Sequence, residues 1–278
     1  MKTNDWLTGA VAITGAEGHV GRALQVRLAD LPNRVRALGR SDDWEPAIKE
    51  AEAVIHLAGT LQPKRPNTYQ AANIQTTERV LNAIANSEVR RIVFLSYAGA
   101  NPDSHNEYLR TKGQAEQLIQ QSGVPVVVFR STFVYGNLDD IGPSFSSYQT
   151  TPGGAVSVLG DGSQKLAPIH VEDLAGLLAA AALDQLTPTG VFEVGGPETF
   201  TVDEFVRLIN PGEVRIRHIP SLGAELLARF TPRLTPALVG VLLSDSVADG
   251  DPVATVSQFG GSLRTFSGAT AVSDEVAS

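Results

Sequence analysis

The sequence predicts an α/β fold, a doubly wound parallel sheet with a small C-terminal lobe. Three observations carry that reading. Short apolar runs alternate with segments of helical spacing through the first half of the chain. The first run, AVAITG at 10–15, ends in a glycine-rich turn that opens a helix. A later helix carries YLRTK at 108–112, with a phenol and an ammonium four residues apart.

The elements follow in order. AVAITG reads as a buried parallel strand. GHVGRALQVRLAD at 18–30 is a helix, with Val20, Leu24 and Leu28 on one face. RVRAL at 34–38 alternates as a strand, and EPAIKEA at 45–51 is a short helix with Pro46 in its first turn. AVIHLAG at 53–59 is a strand, residues 67–87 a long helix, and RIVFLS at 91–96 a strand. Residues 106–123 form a helix that closes on Gly123, and PVVVFRST at 125–132 is a strand. Beyond 136 the pattern loosens into Gly, Pro and Ser. A helix at 171–186, a strand at 190–196 and a helix at 201–209 follow, the last with a Thr201/Glu204 capping box. The expected division is a sheet domain over 1–135 and a small lobe over 136–262 that returns to the sheet at about 168–196. A disordered tail is expected over 263–278.

Composition narrows the function. A net charge of −8 with scattered arginines offers no basic patch for nucleic acid. The chain has no cysteine, so disulfides and thiolate chemistry are excluded, and no His or acidic cluster has metal-ligand spacing. No apolar run reaches membrane-spanning length, and no secretory signal is recognised, so a cytoplasmic location is expected. The best candidate for peripheral membrane association is 222–243, interrupted by Pro232 and Pro236.

The turn TGAEGHVG at 14–21 spaces Gly15, Gly18 and Gly21 as G-x-x-G-x-x-G between a strand and a helix. Gly15 permits a tight turn, Gly18 a close approach of a pyrophosphate, and Gly21 close helix–strand packing. The helix N-terminus offers free N–H groups and partial positive charge. This predicts a Rossmann-like dinucleotide site. The acidic residue that usually holds the ribose hydroxyls is absent after the second strand, and Arg40 stands there instead. NADP(H) is therefore favoured. Asp42 and Asp43, if turned inward, keep NAD(H) open.

Tyr108 and Lys112 share a helix face. A nearby ammonium stabilises a phenolate and brings its pKa toward working pH, which makes the phenol an acid/base group.

With these motifs the chain resembles the short-chain dehydrogenase/reductase superfamily, in its extended or atypical epimerase/dehydratase-like branch. The resemblance spans about 10–210. It rests on TGAEGHVG, HLAGT at 56–60, NIQTT at 73–77, FLSYAGA at 94–100, YLRTK, FRSTFVYG at 129–136 and PIHVEDLAG at 168–176. YAGANPDSHNEYLRTKGQAEQLI and GDGSQKLAPIHVEDL are similar to the subgroup near the accessory reductase-like subunit of respiratory complex I. That subgroup includes proteins that hold NADP(H) without known turnover.

The resemblance implies an NAD(P)(H)-dependent oxidoreductase or epimerase-like enzyme acting on a small carbonyl or alcohol. The alternative it leaves open is a cofactor-holding sensor or assembly protein. It implies that Gly15, Gly18, His19, Val20 and Gly21 line the pyrophosphate and that Arg40 faces the ribose phosphate. Ala58, Gly59 and Thr60 would pass beside the cofactor, and Thr132 and Phe133 would lie near the nicotinamide. Tyr108 and Lys112 would be the catalytic pair, contacting the cofactor as well. Ser96 and Tyr97 stand where many extended members carry two hydroxyl residues, the second polarising the carbonyl. Tyr97 occupies that second place, and Ser96 is the alternative. Monomer and homodimer are both compatible. The 40–54 segment is too short for the usual helix plus edge strand, so that strand is expected to be lost or shrunken, leaving a more open adenine pocket. His56 is expected to be packed at a strand end, and His170 to make a structural hydrogen bond.

Overall fold

A computed structural model of the chain describes residues 9–31, 34–63, 66–85, 87–210, 212–230 and 234–266. The first half builds β1 (Ala10–Thr14), α1 (His19–Arg27), β2 (Val35–Leu38), α2 (Trp44–Lys49) and β3 (Ala51–His56). A helix follows that is π-wound over Gln70–Gln75 and continues as α3 (Thr76–Ile84), then β4 (Arg91–Tyr97), α4 (Glu107–Gln120) and β5 (Val126–Ser131). The second half adds the short strands β6 (Val134–Tyr135), β7 (Ala155–Leu159), β8 (Lys165–Leu166) and β9 (Ile169–His170), then α5 (Val171–Leu183) and β10 (Gly190–Val194). It closes with β11 (Phe200–Thr201), α6 (Val202–Leu208), β12 (Arg215–Ile219), α7 (Ser221–Phe230), α8 (Pro236–Leu242) and α9 (Pro252–Ser257).

The central sheet is parallel throughout, in the order β10-β5-β4-β3-β1-β2. Strand side chains alternate between its faces. Val11, Ile13, Ile55, Val93 and Phe129 pack in one core with Leu24, Leu174 and Leu178 of α1 and α5. Ala12, Val54, Ile92, Phe94 and Val128 pack in the other with Ile48, Val80 and Ile119 of α2, α3 and α4. The strand order reverses between β1 and β3. Ligands of open α/β sheets bind outside the carboxyl ends of the strands at such a switch point.

The edge strand expected to shrink is absent from the six-stranded sheet: β2 is the edge, and α2 alone connects it to β3. The 53–59 strand stops at His56, so 57–59 are free to line a cavity. The long helix opens in π geometry. Thr76 and Thr77 return their hydroxyls to the Ala72 and Asn73 carbonyls there, at 2.6 and 2.7 Å, competing with the regular ladder. β10 pairs with β5 at the edge of the sheet, and the Thr201/Glu204 capping box forms.

The lobe centres on an aromatic cluster that includes Tyr135, Phe145, Phe205 and Phe266. The start of the expected disordered tail is corrected here. Phe266 is buried against Tyr135 and Phe205, and Arg264 pairs with Glu172 and Asp173 at the start of α5. Residues 267–278 lie outside the described residues, as does Pro232; Pro236 starts α8. Among the described residues no helix is long and apolar enough to cross a membrane, and no cluster of His, Cys, Asp or Glu could hold a metal ion.

Candidate functional site

A cavity of about 1000 Å³ opens at the carboxyl ends of β1 and β3. Gly15, Gly18, Arg40, Ala58, Gly59 and Thr60 all line it. Gly15 has φ +71°, a conformation that favours glycine, and a Cβ there would lie 2.8 Å from the Ala58 amide nitrogen. Gly21 does not line the cavity. It is buried behind the turn, where a Cβ would meet the Gly15 carbonyl oxygen at 2.4 Å, so the missing side chain lets α1 seat against the turn. Val20 packs its side chain into the core.

His19 turns away from the cavity. Its ring meets Gly136 and Gly142, whose added Cβ atoms would lie 3.1 and 2.8 Å from it. Burial holds its pKa below the usual value, with Asp140 opposing and Arg22 reinforcing that shift. What His19 and Val20 can offer a pyrophosphate is backbone at the helix N-terminus.

At the carboxyl end of β2, Asp42 accepts from the Gly39 amide (2.7 Å) and Asp43 caps α2 by accepting from the Glu45 amide (3.3 Å). Both carboxylates that kept NAD(H) open are thus engaged locally. Arg40 is exposed on the lining. Trp44 and Arg79 also line this end, and the sequence reading missed both. The Trp44 indole donates to the Gly39 carbonyl (2.8 Å), and the Arg79 guanidinium lies 4.2 Å from the indole centroid. The signal for Arg79 was present: 72, 75, 76 and 79 fall on one helix face, and all four line the cavity.

Asn73 is a second omission. Its Oδ1 accepts from the Thr60 amide (3.3 Å) and its Nδ2 donates to Thr111 Oγ1 (2.9 Å), tying the cavity rim to α4. His56 is a packed strand-end residue, as expected. It is hydrogen-bonded to Thr14 Oγ1 (2.7 Å) and Thr77 Oγ1 (3.0 Å), and burial, aided by Lys112, holds its pKa down at about 3. His170 caps α5, its Nδ1 accepting from the Glu172 amide at 3.3 Å.

Tyr108 and Lys112 are both buried on one face of α4. The Lys112 ammonium donates to the Leu95 carbonyl (2.6 Å) and lies 4.1 Å from the Phe94 ring centroid. A Cβ on cavity-lining Gly59 would sit 3.8 Å from it. Burial lowers the Lys112 pKa to about 7, and Glu116 opposes that shift. The Tyr108 phenol is driven up by burial, with Tyr97 and Tyr69 adding to it. The expected lowering by Lys112 is therefore corrected. The two side chains share a helix face, but in this arrangement desolvation outweighs any help from the lysine.

Tyr108 is walled in by Tyr97 and Tyr69, with ring centroids 5.5 and 5.9 Å away. Tyr97 also meets Phe133 (5.6 Å), and its hydroxyl is hydrogen-bonded to Ser246 Oγ (3.1 Å). Ser96 is buried, its hydroxyl without a hydrogen-bond partner among the described residues. Thr132 spends its hydroxyl on the Ala167 carbonyl (2.6 Å). Ser96, Tyr108, Lys112, Thr132 and Phe133 therefore surround a packed aromatic region beside the open cavity and do not line it. The arrangement is an open cavity beside a closed, aromatic-walled pocket.

Comparison with known proteins identifies the family and supports the fold. The NAD dependent epimerase/dehydratase family matches residues 11–195. The 40 kDa subunit of mitochondrial NADH-ubiquinone oxidoreductase from Neurospora crassa is 24% identical over 228 residues, covering 82% of this chain and 57% of that protein. Subunit 9 of the mitochondrial NADH dehydrogenase (ubiquinone) 1 alpha subcomplex from Arabidopsis thaliana is 27% identical over 233 residues, covering 73% and 58%. The chain thus spans a little over half the length of these relatives. Among solved structures, UDP-glucose 4-epimerase from Thermus thermophilus in complex with NAD superposes with a TM-score of 0.62 at 20% identity, covering 90% of this chain and 98% of that one. At that identity the likeness is one of fold.

Proposed function

The chain belongs to the NAD dependent epimerase/dehydratase family, and from that premise we propose that it is an NADP(H)-dependent oxidoreductase of the short-chain dehydrogenase type, acting on a small carbonyl or alcohol. The observation that carries the proposal is a single cavity lined by both the glycine turn and Arg40. The residues present fit a dinucleotide: Gly18 leaves the phosphate approach open, and the α1 N-terminus supplies donors. Arg40 favours a 2′-phosphate, with Asp42 and Asp43 engaged locally; Glu17, beside Gly39, is the third carboxylate here and lines the cavity. NAD(H) is the alternative cofactor, and NAD is the one bound in the solved epimerase.

When bound, the nicotinamide would supply or accept the hydride. Tyr108 keeps its proton at neutral pH because burial disfavours the phenolate, so it suits the role of proton donor to a carbonyl oxygen. Lys112, behind Gly59, would anchor the ribose. Ser96, whose buried hydroxyl has no hydrogen-bond partner among the described residues, is the candidate partner for the carbonyl. Titration of the protein with NADPH and NADH, followed by nicotinamide fluorescence, tests the proposal; no binding of either below millimolar concentration refutes it.

One observation favours a second reading. Tyr97 fills the place of the carbonyl-polarising hydroxyl and closes over Tyr108. A cofactor-holding sensor or assembly protein would tolerate that closure, and respiratory-complex subunits are among the relatives. This reading expects NADPH binding with no hydride transfer across a broad carbonyl panel. A turnover abolished by Tyr108→Phe with cofactor affinity retained would exclude it.

A further inference from the structure

Glu116 follows Lys112 by one helical turn on α4 and is itself buried. A buried carboxylate needs partners, and Arg130 on β5 grips it twice, Nε donating to Oε1 at 3.0 Å and Nη2 to Oε2 at 2.7 Å. Arg130 is shared: its Nη1 lies 3.8 Å from Glu193 on β10. Ion pairs thus link Glu116, Arg130 and Glu193 across α4, β5 and β10, one helical turn from Lys112.

The surroundings of Lys112 make Glu116 decisive. Its ammonium has a carbonyl and a ring face as neighbours, but no carboxylate within 4 Å among the described residues. His56 on β3 bears on it as a weak base held neutral, and Tyr108 on α4 as a protonated phenol. Glu116, buried one turn along the same face of α4, is the anion that opposes the loss of the Lys112 proton on burial, and Arg130 determines how much of that anion's field is already spent.

We propose that Glu116 is a positioning residue that holds Lys112 as an ammonium behind the cofactor cavity, with Arg130 and Glu193 setting the strength of that hold. The inference rests on the reading of Lys112 as the ribose anchor, but it can be tested without cofactor. The chain has five lysines, so Lys112 is resolvable by NMR in protein carrying 13C at lysine Cε. In the apo protein, Glu116→Gln removes the anion and lowers the Lys112 titration midpoint by about one pH unit or more. Arg130→Gln frees the Glu116 charge and raises it. A merely structural role would move both variants the same way, through loosened packing. NADPH affinity should follow, its alkaline fall moving to lower pH in Glu116→Gln and to higher pH in Arg130→Gln. Shifts of the same sign, or none, overturn the proposal. If Glu116→Gln does not fold, Arg130→Gln alone carries the test: a raised Lys112 midpoint supports the proposal, and a lowered or unchanged one overturns it. Absence of NADPH binding with opposite apo shifts would refute the dinucleotide function and leave the role of Glu116 standing.

Discussion

Tyr97→Ser restores the small hydroxyl at the second position of the strand-end pair, and its effects can be worked out in advance. Tyr97 is 8% exposed, with its ring edge-on to Tyr108 and Phe133 and its hydroxyl on Ser246. Cutting such a ring back costs roughly 3–5 kcal/mol in lost transfer energy and residual cavity. Ser246 keeps the Phe133 amide as a donor (3.3 Å), so its hydroxyl is not left without a partner. At roughly 2–4 °C per kcal/mol for a chain near this size, the melting temperature should fall by about 10 °C. The space released lies against Tyr108, so hydride transfer to small aldehydes and ketones should rise above the wild-type level. Calorimetric melting, NADPH titration and turnover on a carbonyl panel measure the three effects. A melting temperature unchanged to within about 2 °C would mean that the ring is not packed as described. A folded variant that binds NADPH and gains no turnover would refute the argument that Tyr97 is what closes the site.

Three further outcomes follow from the same geometry. Arg40→Glu should weaken NADPH by about tenfold or more while sparing NADH, because it reverses the charge facing the ribose phosphate; equal losses for both cofactors in calorimetric titration would contradict the assignment. His56 has its pKa lowered from 6.5 to about 3 in the fold, so the unfolded chain takes up its proton first as pH falls. Stability is unaffected above about pH 6.5 and is lost progressively from there toward pH 3, by up to about 5 kcal/mol; urea melts of His56→Gln should show a flatter acid limb, and an unchanged limb would count against the burial. Gly21→Ala should cost about 1–3 kcal/mol, since its Cβ would press on the Gly15 carbonyl; the same variant should weaken NADPH by displacing the turn, and unaltered affinity would count against that coupling.

The parts of this molecule legible in the sequence are those governed by local pattern. The sheet strands, their alternation between two cores, the glycine turn and the loss of the edge strand all follow from periodicity, glycine placement and segment length. Six of the residues on the cavity lining (Gly15, Gly18, Arg40, Ala58, Gly59 and Thr60) were accessible because each sits in the turn or just past a strand end, where topology places ligands. What escaped the sequence depends on long-range packing. Nothing around Tyr97 announces Ser246, about 150 positions away, as its partner. Spacing alone suggested that Lys112 would lower the Tyr108 pKa, yet the ring cluster that desolvates Tyr108 draws Tyr69 and Tyr97 from other segments. His19 was assigned to the pyrophosphate from its neighbours in the motif, and its ring is instead captured by two glycines in the 136–142 loop. Phe266 was assigned to a frayed tail because the segment is polar, although one ring was enough to anchor it in the lobe.

Loss of the edge strand also leads to a test of where the adenosine lies. With β2 at the edge, α2 folds back so that Trp44 covers the end of the sheet, its indole fixed by the Gly39 carbonyl and faced by Arg79. An aromatic plate beneath a guanidinium forms one wall of the cavity, next to Arg40. Indole emission is sensitive to such a cation, so any ligand that moves Arg79 must alter it. The chain has two tryptophans, and Trp6→Phe leaves Trp44 as the reporter. NADPH should quench that emission, partly by energy transfer to the reduced nicotinamide. Adenosine 2′,5′-bisphosphate has no nicotinamide, so a change caused by it must come from the adenosine end alone. A matching change with this ligand, reduced in Arg40→Glu, places the adenosine phosphates between Trp44, Arg79 and the glycine turn. If calorimetry shows the bisphosphate binding while Trp44 emission stays constant, the adenosine lies elsewhere, and the cavity has been assigned to the wrong half of the cofactor.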